Sequence, residues 1–181
     1  MSDLGSSAVA ELPLFPLSTV LLPGGRMGLR IFERRYLDLI RDTMRNQQSF
    51  GVVWLAEGGA EVLKPGERQA TLLGVVVEGG RRFQLASARQ DDTGLYIGEV
   101  SWLTEQEDVA LPSRSTELHE LLQQLGDHPH VQRLGMQLNV ETAGALANSL
   151  AQLLPLPAAD AYQILGIDAP LARLDALHDI L

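Results

Sequence analysis

Asp91-Asp92-Thr93-Gly94, followed by Leu95-Tyr96-Ile97-Gly98-Glu99-Val100-Ser101-Trp102, is the stretch that decides the fold class. Two aspartates, a threonine and a glycine are turn chemistry, and the residues after them alternate between apolar and polar, as a half-buried strand requires. Arg82-Phe83-Gln84-Leu85-Ala86 supplies the strand that enters this hairpin. Before it, Gly79-Gly80 reverses the chain and Ala70 to Val77 is strongly strand-like. Lys64-Pro65-Gly66-Glu67 is a turn, and Phe50-Gly51-Val52-Val53-Trp54-Leu55 reads as a buried strand closed by Gly58-Gly59. Several short strands at this spacing predict a small barrel or folded sheet.

Further back, Glu33 to Arg45 breaks the alternation. Tyr36, Leu37, Ile40 and Met44 share one face of a helix and charges occupy the other, so one helix packs on the sheet. Leu12-Pro13-Leu14-Phe15-Pro16-Leu17 is apolar but carries two prolines, which suits an edge strand. Val20-Leu21-Leu22 before Pro23-Gly24-Gly25 reads as a short strand running into a turn, and Met27 to Ile31 is extended again. Residues 1–10 have no periodicity and read as a flexible tail.

Forward of the hairpin the pattern becomes helical. Ser113 or Ser115 caps a segment with Leu118, Leu121, Leu122 and Leu125 on one face, ended by Gly126. Asn139 or Thr142 opens a second, with Leu146, Leu150 and Leu153 inward and Pro155 and Pro157 as stops. Ala158 to Leu165 is a third, and Asp168 caps a fourth with Leu171, Leu174 and Leu177 inward. The expected organisation is α+β. A tail at 1–10 precedes a β-rich domain at 11–110 with one packed helix, and a small α-helical bundle follows at 111–181.

Charge divides the chain at the same place. Residues 1–100 hold 12 acidic and 11 basic side chains, whereas residues 101–181 hold 11 and 3. The net charge of -9 argues against a broad nucleic-acid surface. Eight of the nine aromatic residues lie at or before Trp102, in keeping with a β-rich first part. The N-terminus has no positive segment leading into an apolar run, and no apolar stretch approaches the ~18 residues of a membrane span. A cytoplasmic location without membrane association is the expectation.

Little in the sequence supplies catalytic chemistry. There is no cysteine, which removes disulfides, thiolate metal sites and a cysteine nucleophile. The single lysine, Lys64, sits in a turn before Pro65 rather than in a glycine-rich phosphate loop. A solvated turn lysine is also a poor base for a serine. His128-Pro129-His130 places two imidazoles close together, but without a third ligand it reads as a loop between helices. Asp91-Asp92 and Glu105, Glu107 and Asp108 read as solvated turn and linker residues rather than an acid/base pair. No cofactor and no enzymatic activity are expected.

The strongest concentration of chemistry is basic. Arg26, Arg30, Arg34, Arg35, Arg41 and Arg45 supply six of fourteen basic residues within twenty positions, beside Phe32 and Tyr36. One reading is a face that docks a partner or a phosphate backbone. The other is structural: Glu33 with Arg35 as an internal ion pair, and Asp38 and Asp42 pairing with arginines along the helix. Trp54 and Trp102 divide in the same way, between core residues and partly exposed anchors for an apolar peptide.

Several of these stretches, taken in order, resemble one family. Leu12-Pro13-Leu14-Phe15-Pro16-Leu17, Leu21-Leu22-Pro23-Gly24 and Leu29-Arg30-Ile31-Phe32-Glu33-Arg34-Arg35-Tyr36 are similar to the opening of the Lon protease N-terminal domain. Phe50-Gly51-Val52-Val53 resembles its next strand, and Glu78-Gly79-Gly80-Arg81-Arg82-Phe83 its G-x-R-R-F strand. Leu146 to Pro157 and Ala169 to Leu174 resemble its last helices. The chain departs from the family pattern in having Gly28 and Arg34 where proline is frequent, and in a short stretch between Lys64 and Gly79.

The resemblance implies a PUA-like pseudo-barrel followed by a helical bundle. It also implies binding of unfolded or extended protein segments, in company with a protease or chaperone. The candidate binding residues are Arg30, Phe32, Arg34, Arg35, Trp54 and Arg82. The alternative is RNA binding, since PUA-like barrels include RNA readers, although the net charge opposes it.

Overall fold

A computed structural model describes residues 9–56 and 73–181. The expected turns at Gly58-Gly59 and Lys64–Glu67, the start of the strand at Ala70, and most of the expected tail at 1–10 lie outside these residues. The chain divides into two compact units. Of the described residues, one unit comprises 9–18, 29–56, 73–75 and 81–104, and the other 19–28, 76–80 and 105–181.

The first unit is built on a four-stranded sheet in the order β3-β1-β6-β5. Its strands are β1 (Val9–Leu17), β3 (Gly51–Trp54), β5 (Phe83–Gln90) and β6 (Tyr96–Trp102). β5 and β6 form the expected hairpin, antiparallel, with an irregularity between Leu85 and Ser87. The turn closes as its residues predict. The Gly94 N–H donates to the Asp91 carbonyl at 3.0 Å, and Gly94 takes the positive φ of +84° that glycine tolerates without steric cost.

β1 differs from its expected edge position. It lies between two partners, antiparallel to β6 over Val9–Leu14 and parallel to β3 over Leu14–Leu17. The two pairings overlap only at Leu14, so each proline has a sheet partner on one side alone: β6 at Pro13, β3 at Pro16. Each half of the strand is locally an edge, which is how two residues lacking an N–H fit a central strand.

Packed on this unit is α1 (Arg34–Asn46), with Tyr36, Leu39, Ile40 and Thr43 buried. Tyr36 stacks against Phe15 of β1, ring centroids 4.5 Å apart. The buried stripe differs from the expected one. Thr43 replaces Met44, which is 74% exposed. The Thr43 hydroxyl donates within its own helix, to the Leu39 carbonyl at 2.9 Å and to that of Ile40 at 3.1 Å, so burying it leaves nothing unpaired. A separate two-stranded sheet pairs β2 (Arg26–Ile31) with β4 (Leu73–Glu78).

The second unit holds α2 (Thr116–Gly126), α3 (Pro129–Leu134), α4 (Ala143–Leu153), α5 (Ala158–Gly166) and α6 (Pro170–Ile180). α4 is its centre. Leu146 and Leu150 are fully buried, together with Leu122 of α2, Ile164 of α5 and Leu177 of α6. Each such side chain contributes roughly 1.5–3 kcal/mol relative to exposure. Three expectations change here. His128-Pro129-His130 is no loop but the start of α3: Pro129 takes the first helical position, where its missing N–H costs nothing. The cap of α6 is Ala169 rather than Asp168. Leu171 is 37% exposed, while Arg173 is buried in the same helix.

Val20-Leu21-Leu22 forms no strand, although Val20 and Leu22 are buried. Its backbone is satisfied by a side chain instead. The Leu22 N–H donates to Gln152 Oε1 at 2.8 Å, and Gln152 Nε2 donates to the Val20 carbonyl at 3.4 Å. Two glycine turns are laced beside it: Gly24 N–H to the Gly79 carbonyl and Gly79 N–H to the Gly25 carbonyl, both at 2.8 Å. A side chain on Gly79 would collide with the Leu22 backbone, and one on Gly25 with Gln152.

Candidate functional site

The run from Arg30 to Tyr36 leaves β2 and enters α1. Arg30 is exposed, Ile31 is buried and Phe32 half-buried, so the chain turns its cation outward and its apolar neighbour in. Glu33 precedes the helix and caps it through its backbone: its carbonyl accepts the N–H of Tyr36 at 3.1 Å and that of Leu37 at 3.0 Å. Its carboxylate is left for Arg35, whose Nε donates to it at 2.8 Å. This is the internal ion pair that the sequence offers as the structural reading. Arg34 points away, with its side chain 85% exposed and a 3.4 Å pair to Asp38.

Arg35 joins three parts of the first unit. Besides Glu33, it donates through Nη1 to the Gly94 carbonyl at 2.8 Å, tying the helix start to the β5–β6 turn. Its guanidinium lies 4.8 Å from the Tyr36 ring centroid and 6.0 Å from that of Tyr96. Partial burial lowers its pKa, but the Glu33 hydrogen bond and the charge interactions with Tyr36, Glu33 and Tyr96 outweigh that, and the net shift is upward. Arg35 is therefore a fixed cation that also organises the surface around it.

The other two candidates lie on different strands. Trp54 ends β3, in register with Leu17 of β1, and is half-buried. Arg82 immediately precedes β5 and is 5% exposed, while its carbonyl accepts the Leu103 N–H at 3.1 Å. The outward arginine of that pair is Arg81, which stacks on Trp102 at 5.0 Å. Trp102 in turn meets Phe83 edge-on, with centroids 6.2 Å apart. Phe83 also reaches over Gly51 of β3, where a Cβ would stand 2.9 Å from its ring. The sequence reading missed Arg81. Two adjacent arginines at a strand entry point to opposite faces, and nothing local says which one faces water.

The site is thus an ordered cationic turn with half-buried aromatic residues in the same unit. Among the described residues there is no group of three or more His, Asp or Glu side chains placed to hold a metal ion. Among the same residues, no helix is long and apolar enough to cross a membrane.

The family described as the ATP-dependent protease La (LON) substrate-binding domain matches residues 11–71 and 68–181, and the chain belongs to that family. A solved structure, the Lon N-terminal domain protein from Xanthomonas campestris, is 36% identical. The match covers 94% of this chain and 98% of that one, with a TM-score of 0.71. The N-terminal domain of the Mycobacterium avium complex Lon protease shares the fold, at 19% identity, 94% and 97% coverage and a TM-score of 0.56. A comparison with curated proteins finds no match.

Proposed function

We propose that this chain is a non-catalytic module that binds exposed or extended segments of other proteins. The observation that carries this reading is the match to a substrate-binding family from residue 11 to residue 181. The binding surface we assign is the turn of Arg30, Phe32, Arg34 and Arg35, with Trp54 as an apolar contact and Arg82 as a buried support. Half-buried aromatics beside exposed guanidinium groups suit a polypeptide, which offers apolar side chains and carbonyl oxygens together. The β-rich unit is read as a PUA-like pseudo-barrel, the protein as cytoplasmic, and a separate protease or chaperone as the recipient of what it holds.

The test uses a labelled, permanently unfolded carboxymethylated protein, with its native form as control, followed by fluorescence anisotropy. The unfolded form binds and the native form does not. Trp54→Ala and Arg34→Glu each weaken binding by on the order of tenfold, as the loss of an interface anchor does. Equal affinity for both forms sinks the reading. Binding to bacterial lysate that disappears on nuclease treatment, with a steep salt dependence, supports RNA binding instead.

A further inference from the structure

The end of α1 is unlike the rest of the first unit's surface. Met44 is 74% exposed, the most exposed large apolar side chain among the described residues. Six consecutive residues, Met44 to Ser49, are all exposed, so the helix end stands clear of the fold. Arg41 and Arg45 flank Met44, at one turn before it and one residue after. Arg35 is held by Glu33 at the start of α1, which leaves Arg34, Arg41 and Arg45 against two aspartates. Asp38 accepts from both Arg34, at 3.4 Å, and Arg41, at 3.2 Å, and Asp42 pairs with Arg41 at 3.3 Å, so both acids lie on the N-terminal side of Met44. From Thr43 to Ala56 no acidic residue occurs. A chain of net charge -9 therefore carries a local cationic surplus, centred on a flexible, polarisable apolar side chain.

From this we infer that the end of α1 is a docking point for an acidic segment bearing an aliphatic side chain, supplied by a partner protein. The inference deepens the polypeptide-binding reading and rests on it. The positive surplus selects and steers a negative segment. Met44 adapts its shape to the aliphatic residue, and the neutral run Asn46-Gln47-Gln48-Ser49 offers hydrogen-bonding groups without opposing charge. Arg45 also sits in the last turn of α1, where it offsets the helix dipole, a role that leaves its guanidinium in solvent.

The experiment compares a fluorescent peptide of alternating glutamate and leucine with one in which lysine replaces each glutamate. Binding is titrated by anisotropy against the full chain at low and raised salt. The acidic peptide is expected to bind roughly tenfold more tightly, with the advantage shrinking as salt screens it. Met44→Ser and Arg45→Glu change exposed positions; Met44→Ser keeps the wild-type unfolding midpoint, Arg45→Glu lowers it slightly by placing a negative charge at the helix end, and each weakens the acidic peptide by about fivefold or more. Equal binding of the two peptides, or variants that bind as the wild type does, overturns the inference. So does a single-stranded RNA that displaces the acidic peptide and whose own affinity is unchanged by Met44→Ser. If the unfolded protein binds while these variants have no effect, only this docking point fails. If neither the unfolded protein nor either peptide binds, the polypeptide-binding reading fails with it.

Discussion

Arg35 shows how one side chain is shared between architecture and surface. Its guanidinium spends Nε on Glu33 and Nη1 on the Gly94 carbonyl, so Arg35→Ala releases the helix start from the hairpin turn. The side chain is 25% exposed, and with allowance for solvent screening the loss is about 1–2 kcal/mol, measurable by urea denaturation. Arg35→Lys keeps the charge but not the fork that meets two acceptors at once, and is expected to recover less than half of the loss. Asp91 gives a pH-dependent counterpart in the same hairpin. Its carboxylate accepts the Thr93 hydroxyl at 2.6 Å, the Thr93 N–H at 2.8 Å and the Leu95 N–H at 3.1 Å. The Thr93 hydroxyl bond leads the causes that depress its pKa. A carboxylate with a depressed folded pKa stabilises fully above its unfolded value, near 3.9, and loses that contribution as pH falls through the folded value. Asp91→Asn is therefore less stable than wild type at pH 7, and the gap closes in acid below about pH 4. A gap of constant size in denaturation curves at pH 7 and pH 3 would contradict this.

At the scale of elements, Gln152 does the work of a missing strand. It answers the Leu22 N–H and the Val20 carbonyl, beside a Leu22 side chain that is fully buried. Gln152→Met keeps the volume and removes both bonds. It is expected to cost about 1–3 kcal/mol and to speed amide exchange at Leu22, whereas unchanged exchange there would show the bond to be dispensable. A second such device begins α3, where the His130 N–H donates to His128 Nδ1 at 3.2 Å. His128→Ala is expected to cost about 0.5–1 kcal/mol, read as faster amide exchange within 129–134. These devices also mark what the sequence could say. Alternation around the Asp91–Gly94 turn and the helical spacing after Pro112 were enough to identify strands and helices. Met44 could not be placed, because a scale of hydrophobicity prefers methionine to threonine inside. The fold prefers Thr43, whose hydroxyl has two carbonyls within reach. Val20-Leu21-Leu22 looked like a strand because apolar content reports burial and is silent about which group answers the backbone. In the candidate site, the Glu33–Arg35 pair was legible from two residues apart in sequence. The outward turn of Arg81 and the inward turn of Arg82 were not, because nothing adjacent in sequence reports that Arg81 meets Trp102, 21 residues away.

For the whole molecule, the second unit is assembled from three separated pieces of chain, 19–28, 76–80 and 105–181. Arg26 donates to the Leu134 carbonyl at 3.2 Å, Asp108 accepts the Gly144 N–H at 2.8 Å, and the glycine turns are laced beside Gln152. A fragment of residues 105–181 alone keeps all five helices and the Asp108–Gly144 bond, but loses Arg26 as a partner of α3 and the 19–28 segment that Gln152 of α4 answers. It is expected to show helical circular dichroism with a broad, early thermal transition in place of a cooperative one, and a sharp transition would refute the dependence. The lacing also has a meaning in time. Leu22 leaves the ribosome long before Gln152 exists, since synthesis adds roughly 5–20 residues per second and domains fold as units. For some seconds the nascent chain carries Leu22 and Val20 without the side chain that answers their backbone. A member of a substrate-binding family therefore passes, at its own birth, through a stage in which a segment of its own stands unanswered.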